Sequence, residues 1–239
     1  MASNLLTREN EVFKAIRELL RNKLEFVVVG GYAVSGLARH RFSVDLDIVV
    51  EGKDLHLFEE VLSRLGFVKE IEKTGFDRVY SGRFVSYVKR VDNLPVTVDL
   101  LVDSLTCRST RASWSYEYIR KNSVMAEVVG VESSVRCRVV KRELLIALKI
   151  HSGRKVDLRD IVFLAPGSKV KEVVKHSLRG DLKTLLTQVE EMLETLKKNT
   201  FIDSLKATFQ VRGDTSREVN SAIRMLKAMK ENLERRTKD

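Results

Sequence analysis

The spacing of apolar and polar residues predicts a buried strand followed by a second strand with two distinct faces. The apolar run 26–29 is typical of a strand that is covered on both sides. In the run 44–50, apolar residues alternate with Asp45 and Asp47, so a strand would place four aliphatic side chains on one face. The two aspartates would then project together from the other face, close to the Gly-Gly turn that lies between the two runs.

A later strand carries a third carboxylate. Within residues 96–102, Asp99 is the only acidic side chain in an otherwise apolar strand. An ion pair with Arg39 or Arg41 is the structural alternative for Asp99, and Asp103 is a competing candidate that we interpret as a strand-end or turn residue. Further strands are predicted at 67–71, 78–80, 84–91, 124–131 and 135–140, with a hairpin at Ser81-Gly82 and turns at 92–95 and 132–134.

Helical periodicity becomes continuous in the last part of the chain. Apolar residues recur at helical spacing in 5–20, 33–38, 54–65, 143–150, 168–178, 182–196, 201–209 and 216–233. The segment 106–122 mixes basic and aromatic residues, and a helix that buries Trp114, Tyr118 and Ile119 is favoured over an RNA-stacking surface. The pattern therefore predicts an α+β fold, with a mixed twisted sheet in residues 1–140 and a helical domain in residues 141–239.

Composition narrows the class of protein. The 239 residues are 44% hydrophobic, and no apolar run approaches the ~20 residues of a membrane span. Without a signal-peptide pattern, and with Cys107 and Cys137 as the only cysteines, the chain is expected in a reducing cytoplasm. A charged fraction of 32% together with only two glutamines is typical of a thermophile.

The positive charge is concentrated near the C-terminus. From Lys141 onward, 22 Lys and Arg stand against 14 Asp and Glu, so +8 of the formal net charge of +10 lies in the last 99 residues. Such a field favours an anionic partner, most simply RNA or tRNA. Lysine-rich helices that only keep the surface soluble are the alternative, and the sequence leaves both open.

Two carboxylates on one rigid face repel each other unless a cation neutralises them. Oxygen ligands of this kind suit Mg²⁺, which usually binds together with substrate phosphates. Asp45 and Asp47, close to the Gly-Gly turn, therefore predict a phosphate-metal site.

The motif Gly30-Gly31-Tyr32 followed by Arg41-x-Ser43-x-Asp45-x-Asp47 resembles the signature of the polymerase-beta-like nucleotidyltransferases, most closely the AbiEii-type toxin-related branch. The resemblance implies that Gly30 and Gly31 hold the phosphates of a nucleoside triphosphate, with Arg41 and Ser43 as further phosphate contacts. It also implies that Asp45, Asp47 and Asp99 hold two Mg²⁺ ions, and that Asp99 accepts the proton of the attacking hydroxyl. Many relatives have serine where this chain has Tyr32, so one phosphate contact is missing.

A second motif lies in the helical part. Lys149, followed by Arg154-Lys155 and then Asp157 and Asp160, resembles the AbiEii-type pattern of a helix-borne lysine before an Arg-rich turn and Asp-x-x-Asp. The resemblance implies that Lys149 reaches the triphosphate, that Asp157 or Asp160 orders the turn or the lysine, and that these helices complete the nucleotide site. A snorkelling surface lysine is the alternative. Gly153 departs from the more usual continuous helix, and His151 is interpreted as a turn-facing polar residue.

The predicted activity is metal-dependent transfer of a nucleoside monophosphate from an NTP to an acceptor, most simply RNA, with release of pyrophosphate. The alternative is a catalytically silent, nucleotide- or RNA-binding subunit of a toxin-antitoxin system. The intact carboxylates Asp45, Asp47 and Asp99 argue against a silent subunit. An antitoxin or a second copy of the chain is the expected protein partner.

Overall fold

The computed structural model describes the backbone of residues 2–238 and the side chains of residues 4–237. The chain forms two compact units. The first contains the described residues up to Thr106 together with 113–141, and the second contains 107–112 and the described residues from Arg142 onward. A division into independent domains after residue 140 stays a prediction.

A mixed sheet of seven strands forms the centre of the first unit. The described residues contain nine strands: β1 (Phe26–Val28), β2 (Asp45–Val50), β3 (Val68–Lys73), β4 (Arg83–Val91), β5 (Leu94–Val102), β6 (Ser104–Cys107), β7 (Ala112–Ser115), β8 (Ser123–Val129) and β9 (Ser134–Val140). The order in the large sheet is β3-β4-β5-β2-β1-β9-β8, and β6 pairs with β7 in a separate ribbon. Strand β2 is parallel to β5 and antiparallel to β1, which in turn is parallel to β9. The predicted mixed sheet is therefore confirmed.

The predicted alternation in β2 and β5 determines which residues enter the core. Leu46, Ile48 and Val50 in β2 are fully buried, and so are Val96, Val98, Leu100 and Val102 in β5. The aspartates lie at the intervening positions, where Asp45 is exposed and Asp47 and Asp99 are half-buried. Helices α1 (Ala2–Arg21), α2 (Gly30–Leu37), α3 (Leu55–Arg64) and α4 (Tyr116–Lys121) complete this unit, with a short 3-10 turn at Gly52–Asp54.

The second unit is helical, as predicted. Its helices are α5 (Arg142–Ser152), α6 (Lys155–Leu164), α7 (Val170–Ser177), α8 (Leu182–Leu196), α9 (Asn199–Thr208) and α10 (Ser216–Lys238). Asp181 caps α8 by accepting from the backbone N–H groups of Lys183 and Thr184. In the described part of the chain, no helix has both the length and the apolar character that crossing a membrane requires.

The helix predicted at 106–122 is mostly wrong. Residues 104–115 form the β6-β7 ribbon, and only 116–121 are helical. Arg111 has a φ of +56°, which interrupts any helix there, and Ser115 then caps α4 by accepting from the backbone N–H of Tyr118. Burial of Trp114 and Ile119 is confirmed, because both are fully buried, whereas Tyr118 is only half-buried.

The strand predicted at 78–80, and with it the hairpin at Ser81-Gly82, is also wrong. The buried carboxylate of Asp77 accepts hydrogen bonds from the backbone N–H groups of Val79 and Tyr80 and from the Ser104 hydroxyl. These bonds hold residues 78–80 in a turn, so β3 is the strand that pairs with β4. The two-residue turn between β4 and β5 agrees with the turn predicted at 92–95, since Asp92 and Asn93 have φ values of +49° and +62°.

Two polar residues have structural roles at element ends. Asp103 follows β5 and accepts a hydrogen bond of 2.7 Å from the backbone N–H of Gly52, which agrees with its interpretation as a strand-end residue. Ser168 does not cap α7. Lys169 is the N-cap residue, and the Ser168 hydroxyl donates to the Ala165 carbonyl 2.8 Å away, which closes the preceding turn.

Candidate active site

The register of two parallel strands brings Asp47 and Asp99 side by side. Asp47 of β2 pairs with Asp99 of β5, and Asp45 pairs with Thr97 in the same ladder. The Thr97 hydroxyl donates to Asp45 Oδ1 at 2.7 Å, and the Ser86 hydroxyl of β4 donates to Asp99 Oδ1 at 2.6 Å. Three carboxylates from two neighbouring strands therefore share one face of the sheet.

The environment of Asp99 favours its protonated form. Burial raises the pKa of the Asp99 carboxyl and the nearby charge of Asp45 raises it further, whereas the hydrogen bond from Ser86 acts in the opposite direction. The net shift is upward, because the hydrogen bond from Ser86 does not offset the effects of burial and of the Asp45 charge. A raised pKa in such a setting is typical of a site that binds a cation or handles a proton.

The first residue of α2 faces the carboxylates. Gly30 has a φ of +62°, a conformation that side chains with a Cβ rarely adopt, and a Cβ there would lie 2.0 Å from Asp47 Oδ2. Only glycine permits this approach. Because the first N–H groups of a helix have no intrahelical acceptor, the start of α2 also offers donors to an anion beside the carboxylates.

Arg41 and Ser43 lie on the other side of the same helix start. A Cβ on Gly31 would come within 2.8 Å of Arg41 Nη2 and 3.2 Å of Ser43 Oγ. Ser43 Oγ also donates to the Asp45 carbonyl at 3.2 Å, which fixes the approach to β2. The structure thus brings together seven of the residues singled out from the sequence: Gly30, Gly31, Arg41, Ser43, Asp45, Asp47 and Asp99.

Tyr32 is buried beneath the segment that leads into β2. Its side chain is only 1% exposed, packs edge-to-face against Phe13, and donates through its hydroxyl to the Ser43 carbonyl at 2.6 Å. Burial, with the charges of Glu9 and Asp45, raises the pKa of the Tyr32 phenol far above its ordinary value, so the phenol stays neutral. Tyr32 therefore supports the segment that carries Ser43.

The acidic face offers carboxylate oxygens, which are suitable ligands for a divalent metal ion. Among the described residues, no three His, Cys, Asp or Glu side chains are gathered tightly enough to form a complete metal site. Mg²⁺ commonly takes only one or two protein carboxylates and completes its shell with waters and substrate phosphates. The acidic face beside the start of α2 fits an ion of that kind, which would bind together with a nucleotide.

The residues of the second motif lie in the second unit, where they form a buried ionic cluster. Lys149 Nζ of α5 lies 3.1 Å from Asp157 Oδ1 and 2.6 Å from Asp160 Oδ2 of α6, and Lys149 is 4% exposed. Arg154 Nε donates to Asp157 Oδ2 at 2.7 Å. Although burial alone would raise the pKa of Asp157, the Lys149 and Arg154 charges hold it below its ordinary value. The snorkelling alternative for Lys149 is therefore wrong, and a phosphate contact stays a prediction.

His151 is not turn-facing. It is fully buried on α5, where Nε2 must donate to the Ser177 carbonyl 2.8 Å away, so that Nδ1 accepts from the Thr110 hydroxyl at 2.7 Å. Burial lowers the pKa of His151 to about 4. The neutral ring therefore connects α5, α7 and the 107–112 segment within the second unit.

Two hydroxyl residues of the site were not singled out from the sequence. Thr97 has the same strand parity as Asp99, so the period of two could have identified it. Ser86 could not be found in this way, because its place beside Asp99 depends on the pairing of β4 with β5. Both hydroxyls donate to the acidic cluster and orient its carboxylates.

Comparison with solved structures gives distant matches. The chain is similar to JHP933 from Helicobacter pylori, with 18% identity, a TM-score of 0.47, and 98% of this chain and 94% of that chain covered. It is also similar to the antibiotic-resistance factor ANT(2'')-Ia, with 15% identity, a TM-score of 0.42, and 87% of this chain and 93% of that chain covered. A crystal structure of ANT(2'')-Ia with adenylyl-2''-tobramycin matches at 16% identity and a TM-score of 0.42, covering 86% of this chain and 98% of that chain.

The family is established by a different comparison. No curated protein matches the chain. The profile of the family described as "Nucleotidyl transferase AbiEii toxin, Type IV TA system" matches residues 15–238, nearly the whole length. That match includes both motifs on which the resemblance was based. The chain belongs to the AbiEii family and is a nucleotidyltransferase.

Proposed function

We propose that this chain transfers a nucleoside monophosphate from an NTP to an RNA acceptor in a Mg²⁺-dependent reaction that releases pyrophosphate. The observation that carries the proposal is the pairing of Asp47 with Asp99 next to the first residue of α2. Carboxylate oxygens gathered on one face support a metal, and the adjoining helix start supports a phosphate.

The phosphates of the NTP would lie against the start of α2. Gly30 and Gly31 leave room for close approach of the backbone, and their N–H groups can donate to phosphate oxygens. The Arg41 guanidinium, near Gly31, supplies positive charge, and the Ser43 hydroxyl supplies a further donor. These groups would orient the triphosphate so that its α-phosphorus lies towards the carboxylates.

Asp45, Asp47 and Asp99 would hold two Mg²⁺ ions that arrive with the NTP. When bound, the metal supplies charge neutralisation for the triphosphate and lowers the pKa of a coordinated hydroxyl. The hydrogen bonds from Thr97 and Ser86 keep one oxygen of Asp45 and one of Asp99 in fixed orientations.

In the reaction, an acceptor hydroxyl oxygen forms a bond to the α-phosphorus, and the bond from that phosphorus to the pyrophosphate oxygen breaks. The proton of the hydroxyl passes to Asp99, whose carboxylate lies next to Asp47 in the neighbouring strand. The electron pair of the broken bond leaves with pyrophosphate. The nucleoside monophosphate remains on the acceptor.

The charge distribution supports RNA as the acceptor. Of the +10 formal charge, +8 lies from Lys141 onward, and three exposed lysines lie along α7, with Lys169 at its N-cap, Lys171 in its first turn and Lys175 in its last turn. A polyanion gains binding free energy by releasing counterions to such a surface, whereas a small acceptor does not need it. Membership of a type IV toxin-antitoxin family also supports a toxic activity that an antitoxin counteracts.

The activity is tested by incubating the protein with each labelled NTP, Mg²⁺ and total RNA. We expect label on RNA and one pyrophosphate per transfer, and neither with EDTA or with the Asp45→Asn/Asp47→Asn variant. Nucleotide binding without pyrophosphate release would instead indicate a silent subunit. Label on a small molecule but not on RNA would show that the acceptor is a small molecule.

RNA binding itself can be measured across a salt series. If about four phosphates are neutralised, the log-log slope of affinity against salt is about −3 for a single strand. Charge reversal of Lys169, Lys171 and Lys175 to Glu should flatten the slope, whereas reversal of three lysines in the first unit, Lys53, Lys69 and Lys73, is the matched control. A salt-independent affinity, or no binding at low salt, contradicts an RNA acceptor.

A further inference from the structure

Glu9 of α1 is a fully buried acidic residue whose two oxygens have different partners. Oε1 lies 3.0 Å from His40 Nε2, and Oε2 accepts from the backbone N–H of Val131 at 2.8 Å. A Cβ on Gly130 would lie 2.8 Å from Glu9 Oε2, so this turn must approach the carboxyl group closely. Because a buried carboxyl group without partners is costly, Glu9 strongly constrains the positions of the groups that it contacts.

His40 belongs to a segment without regular secondary structure. We call residues 38–44, which connect α2 to β2, the site loop, because they include Arg41 and Ser43. Within the first unit the loop is attached at its end by the bond from Tyr32 to the Ser43 carbonyl, and in its middle by the contacts of the Ser35 hydroxyl with the backbone of Arg41. The contacts of Ser35 are long, at 3.4 and 3.5 Å, whereas the contact between Glu9 and His40 is 3.0 Å.

We propose that Glu9 and His40 form a positioning pair that holds the site loop so that Arg41 and Ser43 face the start of α2. The proposal rests on the nucleotide-binding role given above to Arg41. His40 directly precedes Arg41, so a displacement of the imidazole moves the backbone of the arginine. The family match begins at residue 15, so Glu9 lies outside the matched residues.

A neighbouring ion pair shows what a purely structural role looks like. Glu11, two residues further along α1, contacts Lys89 Nζ at 2.7 Å and thereby attaches the same helix to strand β4. Both pairs connect α1 to another element of the first unit. Only the Glu9 pair ends on the site loop, so the two substitutions Glu9→Gln and Glu11→Gln form a matched comparison.

The first experiment measures NTP affinity in the presence of Mg²⁺. His40→Ala and Glu9→Gln should each weaken binding by about three- to tenfold, in proportion to one lost hydrogen bond. His40→Gln, whose amide N–H can still donate to Glu9, should restore most of the affinity, and Glu11→Gln should leave it unchanged. In an Arg41→Ala background the effect of His40→Ala should shrink to the part that acts through Ser43. Equal losses for Glu9→Gln and Glu11→Gln, or a full His40→Ala effect without Arg41, would overturn the proposal.

The second experiment needs no nucleotide and separates the positioning pair from the proposed function. Trypsin cleavage after Arg39 or Arg41, mapped by mass spectrometry, reports how firmly the site loop is held. Cleavage should be several-fold faster in His40→Ala and Glu9→Gln than in the wild type and in Glu11→Gln, all at equal folded fraction by circular dichroism. If the wild type binds no NTP, the proposed function fails while this result still decides whether Glu9 holds the loop. Unchanged cleavage in both variants overturns the positioning pair.

Discussion

Each unit of the chain has its own group of acidic side chains, and the two groups differ in how their charge is balanced. In the first unit, Asp47 and Asp99 lie side by side near Asp45, and burial together with the Asp45 charge raises the pKa of Asp99. In the second unit, Asp157 and Asp160 both contact Lys149 Nζ, and the pKa of Asp157 is lowered despite its burial. The same residue type therefore has opposite shifts in the two places.

The difference indicates which group needs a ligand. The cluster in the second unit contains two acids, Lys149 and Arg154, so its formal charges cancel within the unit. In the first unit, the Ser86 hydroxyl donates to Asp99 and the Thr97 hydroxyl donates to Asp45, and the pKa of Asp99 is nevertheless raised by burial. We infer that the first group is arranged for an incoming cation and that the second holds α5 and α6 together.

The largest expected effect comes from neutralising two carboxylates of the first group. Asp45→Asn with Asp47→Asn should lower the rate of nucleotide transfer by at least about 10³-fold, because several kcal/mol of metal-dependent stabilisation are lost. The free energy of unfolding should stay the same or rise, since repulsion between carboxylates is relieved. Pyrophosphate release and urea denaturation measure the two quantities. Undiminished Mg²⁺-dependent nucleotide binding in this variant would show that the metal binds elsewhere.

In the ionic cluster of the second unit, removing one charged group should lower stability. Lys149→Met should lower the free energy of unfolding by roughly 3–5 kcal/mol, because two buried carboxylates lose their shared cation. Lys155→Met, at an exposed neighbouring position, is the matched control and should change it by less than about 0.5 kcal/mol.

The same variant also tests the nucleotide role of Lys149. Adding Asp157→Asn and Asp160→Asn to Lys149→Met should recover most of the lost stability, because the one charge that then remains, on Arg154, is exposed to solvent. If the single variant loses more affinity for a triphosphate than for a monophosphate, Lys149 contacts the β- or γ-phosphate. Equal losses would leave the lysine with the structural role alone.

Features of the site that depend on neighbouring residues in the sequence could be predicted, whereas features that depend on contacts between distant residues could not. The periods of β2 and β5 predicted the faces of Asp45, Asp47 and Asp99, because side-chain direction in a strand is a local property. The pairing of Asp47 with Asp99 depends on contacts between residues 52 positions apart, which no local pattern specifies. The same reason explains the missed roles of Ser86 and Glu9, and the burial of Lys149 between two acids.

A smaller change in stability is expected when Asp99 is replaced by asparagine. Because its folded pKa is raised, the folded state holds a proton that the unfolded chain has already released, so stability falls as pH rises through that window. Asp99→Asn should therefore raise the free energy of unfolding at neutral pH by roughly 0.5–2 kcal/mol while abolishing transfer. Chemical denaturation at pH 7 checks the sign.

Asp77→Asn is the control variant, and we expect it to change the free energy of unfolding in the opposite direction to Asp99→Asn. Although burial alone would raise the pKa of Asp77, hydrogen bonds from Ser104, Val79, Tyr80 and Ser113 hold it at about 2. Its stabilising contribution is present above the ordinary pKa of aspartate and is lost as pH falls towards about 2. The Asn variant should therefore be less stable than the wild type at pH 7. If both variants shifted stability in the same direction, the contrast in charge balance would be wrong.

The smallest expected effect concerns the hydroxyl that partly stabilises the ionised form of Asp99. The Ser86 hydroxyl donates to Asp99 Oδ1 at 2.6 Å and opposes the upward shift in the pKa of that carboxyl. In Ser86→Ala the pKa should rise further, so the acidic limb of the rate-against-pH profile should move to higher pH. The rate on the alkaline plateau should change little, because the base is ionised there in both proteins. Thr97→Val, which removes the donor to Asp45 instead, should leave the position of the acidic limb closer to that of the wild type. A limb that does not move in Ser86→Ala would mean that Asp99 is not the base, even if the carboxylate binds the metal.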